Sequence, residues 1–454
     1  MKDLSAGSIP RHIASMSIQM AIGILVQTLY FFTDLYFMAT RGDAAVAGLT
    51  SAGNIWFVVL ALTQILNVGT VALVSHAVGA QQRDRANHVF NQALTLSLII
   101  GTVVLAGVYL VAAPYMRAVA ADEATARAGM DYLYWFAPGL GLQFLMVAMF
   151  ATLRATGMVA PTMILQMISV FVNVLLAPVL IAGWGTGKPM GPAGAGLASS
   201  IACVVGLLCA GYYFLKHEKY VEIHREQMKA NMAVWGRLLL IGLPVGLEFF
   251  LMALVMSVIY YLIRDFGSSA QAGVGLGQGI MRIIMLPAMA VAFAAAPIAG
   301  QNFGARKSAR VRETFKWTVV ISAIIMLMLT LMCQFASEAF MHVFTKEEAV
   351  VVVGAQMLTI ISWNFVCNGI IFSCSSMFQA LHNTWPSILS SAIRIVIFVV
   401  PAVWLSLQPG FRLEQMWHVS VATMFIQAVI SYALVRWQFR TRLAPLDSLA
   451  PAAT

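Results

Sequence analysis

Long apolar runs separated by short polar segments dominate this sequence. A hydrocarbon core of about 30 Å needs roughly 20 apolar residues per helix, and twelve runs meet that length. The first six are Ile13–Met38, Ile55–Val74, Ala93–Ala113, Tyr132–Leu153, Met163–Ile181 and Leu197–Leu215. The second six are Leu238–Ile263, Val274–Ile298, Trp317–Phe335, Val351–Phe378, Ile388–Leu405 and Met416–Val435. Each run is continuous rather than alternating in polarity, which favours helices over a membrane barrel. The pattern predicts an all-α membrane protein with twelve transmembrane helices. The first run lasts for a full span and lacks the short apolar core and A-x-A site of a cleaved signal, so it is expected to stay attached.

The longest polar interruption, Lys216 to Arg237, falls near the middle of the chain. It predicts an N-terminal lobe (1–217, helices 1–6), a cytoplasmic linker (218–236) read as a solvated loop, and a C-terminal lobe (237–454, helices 7–12). Of the 27 Lys and Arg residues, only Arg41, Arg117, Arg127, Lys188, Arg264, Lys346 and Arg412 fall on the side away from the termini, while Arg282 and Arg394 lie inside spans. The rest share the side of the two termini, which places both termini in the cytoplasm of a multi-pass protein of the inner (plasma) membrane.

Composition narrows the function. With 60% hydrophobic and 10% charged residues and a mean hydropathy of +0.84, water is not the main solvent. The net charge of +9 is spread between apolar runs, so a soluble enzyme, a nucleic-acid binder and a disordered scaffold are all poor readings. Cys203, Cys209, Cys333, Cys367 and Cys374 show no C-x-x-C spacing, which disfavours a disulfide framework or a zinc site. There is no G-x-x-x-x-G-K-[ST] for ATP and no H-E-x-x-H, and no cofactor is expected. An integral-membrane enzyme would need a clustered nucleophile, base or metal set, and none is visible.

The two halves repeat. An offset of 225 residues pairs Gly42, Ala45, Ala47 and Gly48 with Gly267, Ala270, Ala272 and Gly273, and pairs Gly79, Ala80, Arg85 and Phe90 with Gly304, Ala305, Arg310 and Phe315. Further along, Met149, Phe150, Leu153 and Thr156 match Met377, Phe378, Leu381 and Thr384 at an offset of 228. The shared register predicts two pseudo-symmetric six-helix lobes of the same orientation, an arrangement suited to alternating access.

Several stretches carry a family likeness: V-S-H-A-V-G-A-Q (Val74 to Gln81), I-A-G-Q-N-F-G-A-R (Ile298 to Arg306), F-F-T-D-L-Y-F around Asp34, L-P-V-G-L-E (Leu243 to Glu248) and N-V-L-L-A-P (Asn173 to Pro178). Over nearly its whole length the sequence resembles the multidrug and toxic compound extrusion (MATE) family. The resemblance implies a secondary-active exporter of cationic or amphipathic compounds driven by inward sodium ions or protons. It also implies that Glu248 belongs to the cation-binding set of the C-terminal lobe. Two departures stand out. Ala177 occupies a position where one branch has an aspartate, and the tenth span has Asn364 and Asn368 where other members have an acid.

Of 18 acidic residues, only Asp34 and Glu248 lie deep inside spans. A carboxylate near the bilayer centre costs roughly 2.5 to 3.5 kcal/mol even on lenient insertion scales, so it faces a cavity, a partner or an ion. Tyr30, Phe31, Phe37 and Met38 share the helical face of Asp34, and aromatic faces attract organic cations. Burial favours the protonated acid and a nearby cation favours the ionised one, so the two can compete for the same oxygens. Glu248 lies about ten residues, or ~15 Å, into its span. Pro244 one turn before it predicts a kink with a freed carbonyl. A sodium site would combine Glu248 with the carbonyl of Asn364 or Asn368 and a backbone oxygen. Arg282 could pair with Glu248 or snorkel, and Arg394, near the start of its span, is expected to snorkel. Gln64, Asn67, Asn173 and Gln278 are candidates for lining the cavity or for interhelix hydrogen bonds. The 27 methionines suit an adaptable pocket, although core and lipid-facing roles account for most.

The expected protein is thus a monomeric efflux antiporter whose partners are small organic cations or amphiphiles and the bilayer. A rival is a flippase of lipid-linked precursors, whose cleft would need several embedded bases to meet a diphosphate.

Overall fold

The computed structural model describes residues 1–185 and 187–447, with the side chains of Leu29, Phe31 and Asp447 outside that description. The chain is all-helical among these residues: α1 Ile9–Ala39, α2 Asp43–Gly79, α3 Arg83–Val119, α4 Glu123–Ala155, α5 Val159–Leu180, α6 Pro192–Lys216, α7 Met232–Ile263, α8 Ser268–Gly304, α9 Ser308–His342, α10 Glu348–Ile361, α11 Asn364–Ala380, α12 Trp385–Ser406 and α13 Leu413–Gln438. Among the described residues, eleven helices are long and apolar enough to cross a membrane, and α10 with α11, bent by 52° at a short break, passes the same test as a pair and brings the number to up to twelve. Many helices outrun the apolar stretches that announced them. The 37 residues of α2, for example, extend ~55 Å at 1.5 Å per residue, because polar end turns continue the helix beyond the oil.

The tenth apolar run is therefore two helices rather than one. The break at Ser362 and Trp363 is sealed by α9, whose Thr330 hydroxyl donates to the Ser362 carbonyl (2.9 Å) while Gln334 Nε2 donates to the Thr359 carbonyl (2.6 Å) and to Ser362 Oγ (2.7 Å). Such side-chain donors let a span break inside the bilayer without stranding backbone oxygens. By contrast, α7 runs as one helix through Pro244.

The chain forms two compact units. The first holds Met1–Asp3 and Gln19–Leu243, and the second holds Leu4–Ile18 and Pro244–Thr454, so the division falls inside α1 and, at Pro244, inside α7. In the first unit the segment after α6 is docked rather than a loose solvated loop. Asn87 Oδ1, Asn91 Oδ1 and Gln92 Oε1 of α3 accept from the backbone of Glu222 (2.6 Å), His224 (2.9 Å) and Asn231 (2.9 Å). Gln92 Nε2 returns bonds to the Gln227 and Lys229 carbonyls. The second unit treats the N-terminal segment alike. Gln301 Oε1 accepts from Leu4 N (2.9 Å), Asn302 Nδ2 donates to the Leu4 carbonyl (3.2 Å), and Lys307 Nζ donates to the Ser5 carbonyl (2.9 Å). The G-Q-N-F-G-A stretch is thus a clamp on the chain that leads into α1.

The repeat is real at an offset of 225 and persists further than the sequence matches suggest. Helices α2 and α8 begin and end in register, the caps Gly42 and Gly267 both have positive φ (96° and 88°), and Gln81 and Arg306 share a φ of 58°. A Cβ on Gly48 would meet Gly129 N at 2.8 Å, and one on Gly273 would meet Gly354 N at 3.1 Å. Those contacts let α2 approach α4, and α8 approach α10, backbone to backbone. The same register continues past α4. Gly157 and His382 both take positive φ, and the turn bond from Met158 N to the Leu153 carbonyl recurs from Asn383 N to the Phe378 carbonyl. The 228-residue offset is therefore a chance alignment of Met, Phe, Leu and Thr residues and does not describe the fold.

Candidate functional site

In the first unit, the buried acid Asp34 lies on α1, about a turn and a half from its end at Ala39. Its neighbours come from three other helices. Small residues in α6 (P-A-G-A-G-L-A-S-S) allow the approach: a Cβ on Gly196 would sit 2.3 Å from the Tyr132 carbonyl, so α6 lies against α4. That contact carries Ser199 and Tyr132 toward Asp34. Ser199 is the hub. Tyr30 donates its hydroxyl to Ser199 Oγ, Asn173 Nδ2 of α5 reaches the same oxygen at 3.5 Å, and Ser199 Oγ donates to Asp34 Oδ2 at 3.5 Å. Tyr132 of α4 stands near enough to Asp34 for their charges to interact.

The donors run short here. Asp34 Oδ1 and Asn173 Oδ1 are both buried, and neither has a hydrogen-bond donor among the described residues. Nor does any ion pair among those residues include Asp34. A buried oxygen without a donor costs about 1–3 kcal/mol, and a proton on the carboxyl group or a cation beside it offsets that cost.

The predicted aromatic face is only partly present. Tyr30 joins the cluster, but Phe37 packs edge-on against Trp184 (centroids 5.8 Å apart) and Tyr36 (5.3 Å). Met38 is buried, and the Phe31 side chain lies outside the described residues. Gln64 and Asn67 serve a different purpose. Asn67 Nδ2 donates to Gln64 Oε1 (2.9 Å) and Asn67 Oδ1 accepts from Arg154 (2.6 Å), tying α2 to the last turn of α4. They are interhelix bonders away from the Asp34 cluster.

In the second unit, Glu248 is partly buried near the middle of α7, and Oε1 accepts from two serines one turn apart on α12, Ser387 and Ser391 (3.4 Å). Ser387 also donates to Ser375 of α11 (3.3 Å), and Gln427 Nε2 of α13 donates to Ser391 Oγ (3.2 Å). Ser420, Thr423, Gln427 and Ser431 recur at helical spacing on one buried face of α13. The proposed partner Asn364 reaches this stripe two turns away, where its Nδ2 donates to Ser420 Oγ (3.4 Å). Asn368 Nδ2 bonds back to the Asn364 carbonyl (3.1 Å). The structure thus links Glu248 to α12, and neither asparagine bonds it directly. Asn364 Oδ1 and Gln427 Oε1 are buried oxygens with no donor among the described residues. Those same residues hold no group of three or more His, Cys, Asp or Glu side chains arranged for a metal ion.

The embedded cations differ from expectation. Arg282 is exposed and pairs with no acid among the described residues, so it does not hold Glu248. Arg394 is the tenth residue of α12, not near its start, and stands one turn beyond Ser391 without an ion pair among the described residues. Gln278 is partly buried on α8. Ser199, Ser387 and Ser391 escaped sequence reasoning, because an uncharged serine in a small-residue helix carries no cost that marks it.

A polytopic all-helical protein with internally repeated units and unpaired buried carboxylates has the makings of a membrane transporter. The MatE family model matches residues 20–179 and 244–405, and the chain belongs to the MATE transporter family, a family of transporters rather than enzymes. It is 24% identical over 401 residues to the multidrug export protein MepA of Staphylococcus aureus (strain N315), covering 86% of each chain. It is 21% identical to the FAD transporter of Shewanella oneidensis, covering 88% of this chain and 89% of that one. A solved structure described as an outward-facing conformation of a multidrug resistance MATE family transporter superposes with a TM-score of 0.89 at 22% identity, covering 98% of both chains.

Proposed function

We propose that the protein is a secondary-active antiporter that exports cationic or amphipathic compounds from the cytoplasm in exchange for protons or sodium ions. One observation carries this reading: in the cluster that Ser199 ties together, Asp34 Oδ1 and Asn173 Oδ1 are each buried with no hydrogen-bond donor among the described residues. A group left so needs a positive visitor. When a proton occupies Asp34, the acid is neutral and the site is satisfied. When the proton leaves, the carboxylate attracts an organic cation, so one site can hold the two in turn but not together. The multidrug export activity named for MepA supports the same substrate class.

Glu248 offers a second carboxylate in the other unit, held by the hydroxyls of Ser387 and Ser391, oxygens of the hard type that sodium prefers. The flippase alternative is weaker. It calls for several embedded bases around a diphosphate, whereas Arg282 is exposed and Arg394 stands alone on its face of α12.

Ethidium efflux from proteoliposomes, with sodium and pH gradients imposed separately, tests the proposal. One inward gradient should accelerate efflux at least several-fold over the ungraded control. Efflux indifferent to both gradients would reject antiport.

A further inference from the structure

A cleft of about 590 Å³ opens between the start of α9 and the last turns of α13 with the turn that follows it, beyond Gln427 of the Glu248 network. Its lining holds four cations, Arg312 and Lys316 one turn apart on α9, Arg436 in the last turn of α13 and Arg440 one turn later in the π-helical turn Phe439–Leu443, and no acid among the described residues. Lys316, Arg436 and Arg440 form no ion pair among the described residues. The floor is aromatic: buried Phe315 and Phe439 meet edge to face (centroids 5.5 Å apart), and Tyr432 lies 5.8 Å from Phe315. One turn further into the membrane the walls become Val319, Val320 and Tyr432, the latter two exposed. Trp317 and the exposed Trp437 flank the basic turn, the position that indoles favour at a membrane–water interface.

Cations at the mouth and an apolar trough running inward match one ligand shape, a phosphate headgroup attached to hydrocarbon chains. We infer that this cleft binds an anionic phospholipid of the leaflet on the side of the two termini, its phosphodiester held by Lys316, Arg436 and Arg440 and an acyl chain laid along Val319, Val320 and Tyr432. Water-soluble anions would leave the apolar half bare. A zwitterionic lipid would bring its own cation against four others. Arginines bind the phosphate through paired N–H groups, and the lysine adds a point charge. Basic pockets between spans recognise anionic headgroups by the same chemistry. A lipid seated there would join α9 to the end of α13 beside the apolar cluster that includes Val311, Phe315, Val435 and Phe439.

The test is lipid retention, measured by native mass spectrometry on the full-length protein. Delipidated wild type is titrated with phosphatidylglycerol, with phosphatidylcholine, or with inorganic phosphate as competitor. The comparison variant is Lys316→Gln/Arg436→Gln/Arg440→Gln, and the control is Lys216→Gln/Lys219→Gln/Lys229→Gln, which removes equal charge elsewhere on the same side. Wild type and control should retain phosphatidylglycerol in preference to phosphatidylcholine. The cleft variant should bind phosphatidylglycerol about 100-fold more weakly, as expected for three lost surface cations, while eluting and melting like wild type. Equal loss in both variants would reduce the effect to diffuse charge and overturn the proposal. Displacement of the lipid by millimolar phosphate alone would overturn it in favour of a simple anion site. If the cleft variant fails to fold, Arg436→Gln alone replaces it, with a loss of about five-fold expected and an unchanged affinity contradicting the site.

Discussion

Proteoliposomes containing Asp34→Asn should show no measurable ion-coupled ethidium export and bind ethidium roughly 10- to 100-fold more weakly than wild type, the factor that follows from losing a charge-assisted contact of about 1.5–3 kcal/mol. Expression and thermal stability should be close to wild type. Asparagine has the size of aspartate and keeps an oxygen for the Ser199 hydroxyl at the position of Oδ2. It also replaces Oδ1, a buried acceptor with no donor among the described residues, by an uncharged amide nitrogen. The substitution therefore keeps the side-chain shape and the Ser199 contact while removing the charge. This separates the two possible roles of Asp34. A structural anchor would leave the variant transporting normally, or even more stable. A coupling group leaves it well folded and inactive. Normal coupled export by a well-expressed Asp34→Asn protein would remove the residue from the mechanism.

The second large effect belongs to Glu248→Gln. Glutamine retains an oxygen for the Ser387 and Ser391 hydroxyls, so the contact between α7 and α12 should survive. What disappears is the negative charge on the Ser387, Ser391 and Gln427 network, in which Gln427 Oε1 is buried without a donor among the described residues. If sodium binds in this unit, the variant loses the sodium-dependent part of ethidium binding, on the order of 10-fold or more, and keeps the part that depends on Asp34. Radiosodium binding to the purified proteins reads this directly. Equal ethidium binding by wild type with and without sodium would rule sodium out as the coupling ion, and a Glu248→Gln protein indistinguishable from wild type in every ionic condition would make Glu248 a structural residue. The two variants act in different compact units, so their effects should be separable.

The membrane-spanning pattern, the repeat and both acids were legible in the sequence for a single reason: each departs strongly from what water or oil tolerates. A carboxylate in a span is costly enough to notice, and a serine is not. Asp34 and Glu248 could therefore be found while Ser199, Ser387 and Ser391, which hold them, could not. The break between α10 and α11 was hidden because hydropathy counts side chains. Ile361 and Trp363 are apolar, whereas the helix ends through backbone bonds taken over by Thr330 and Gln334. The segment after α6 looked like a solvated loop because it is rich in charged residues. Its anchoring residues, Asn87, Asn91 and Gln92, lie more than a hundred positions earlier on α3. Arg394 was misplaced because the apolar run starts after Trp385, although the helix itself does not.

The account rests on a buried negative site that a coupling ion and a cationic substrate occupy in turn. Ion release on substrate binding tests it most directly: purified wild-type protein in weakly buffered detergent is titrated with ethidium while a pH indicator and a sodium electrode record what leaves. Binding should release one coupling ion from the Asp34 site per ethidium, and little or none from Asp34→Asn. If that ion is the proton, wild-type affinity should also tighten as pH rises, because only the ionised carboxylate attracts the cation. Tight ethidium binding by wild type with no release of either ion would contradict the account.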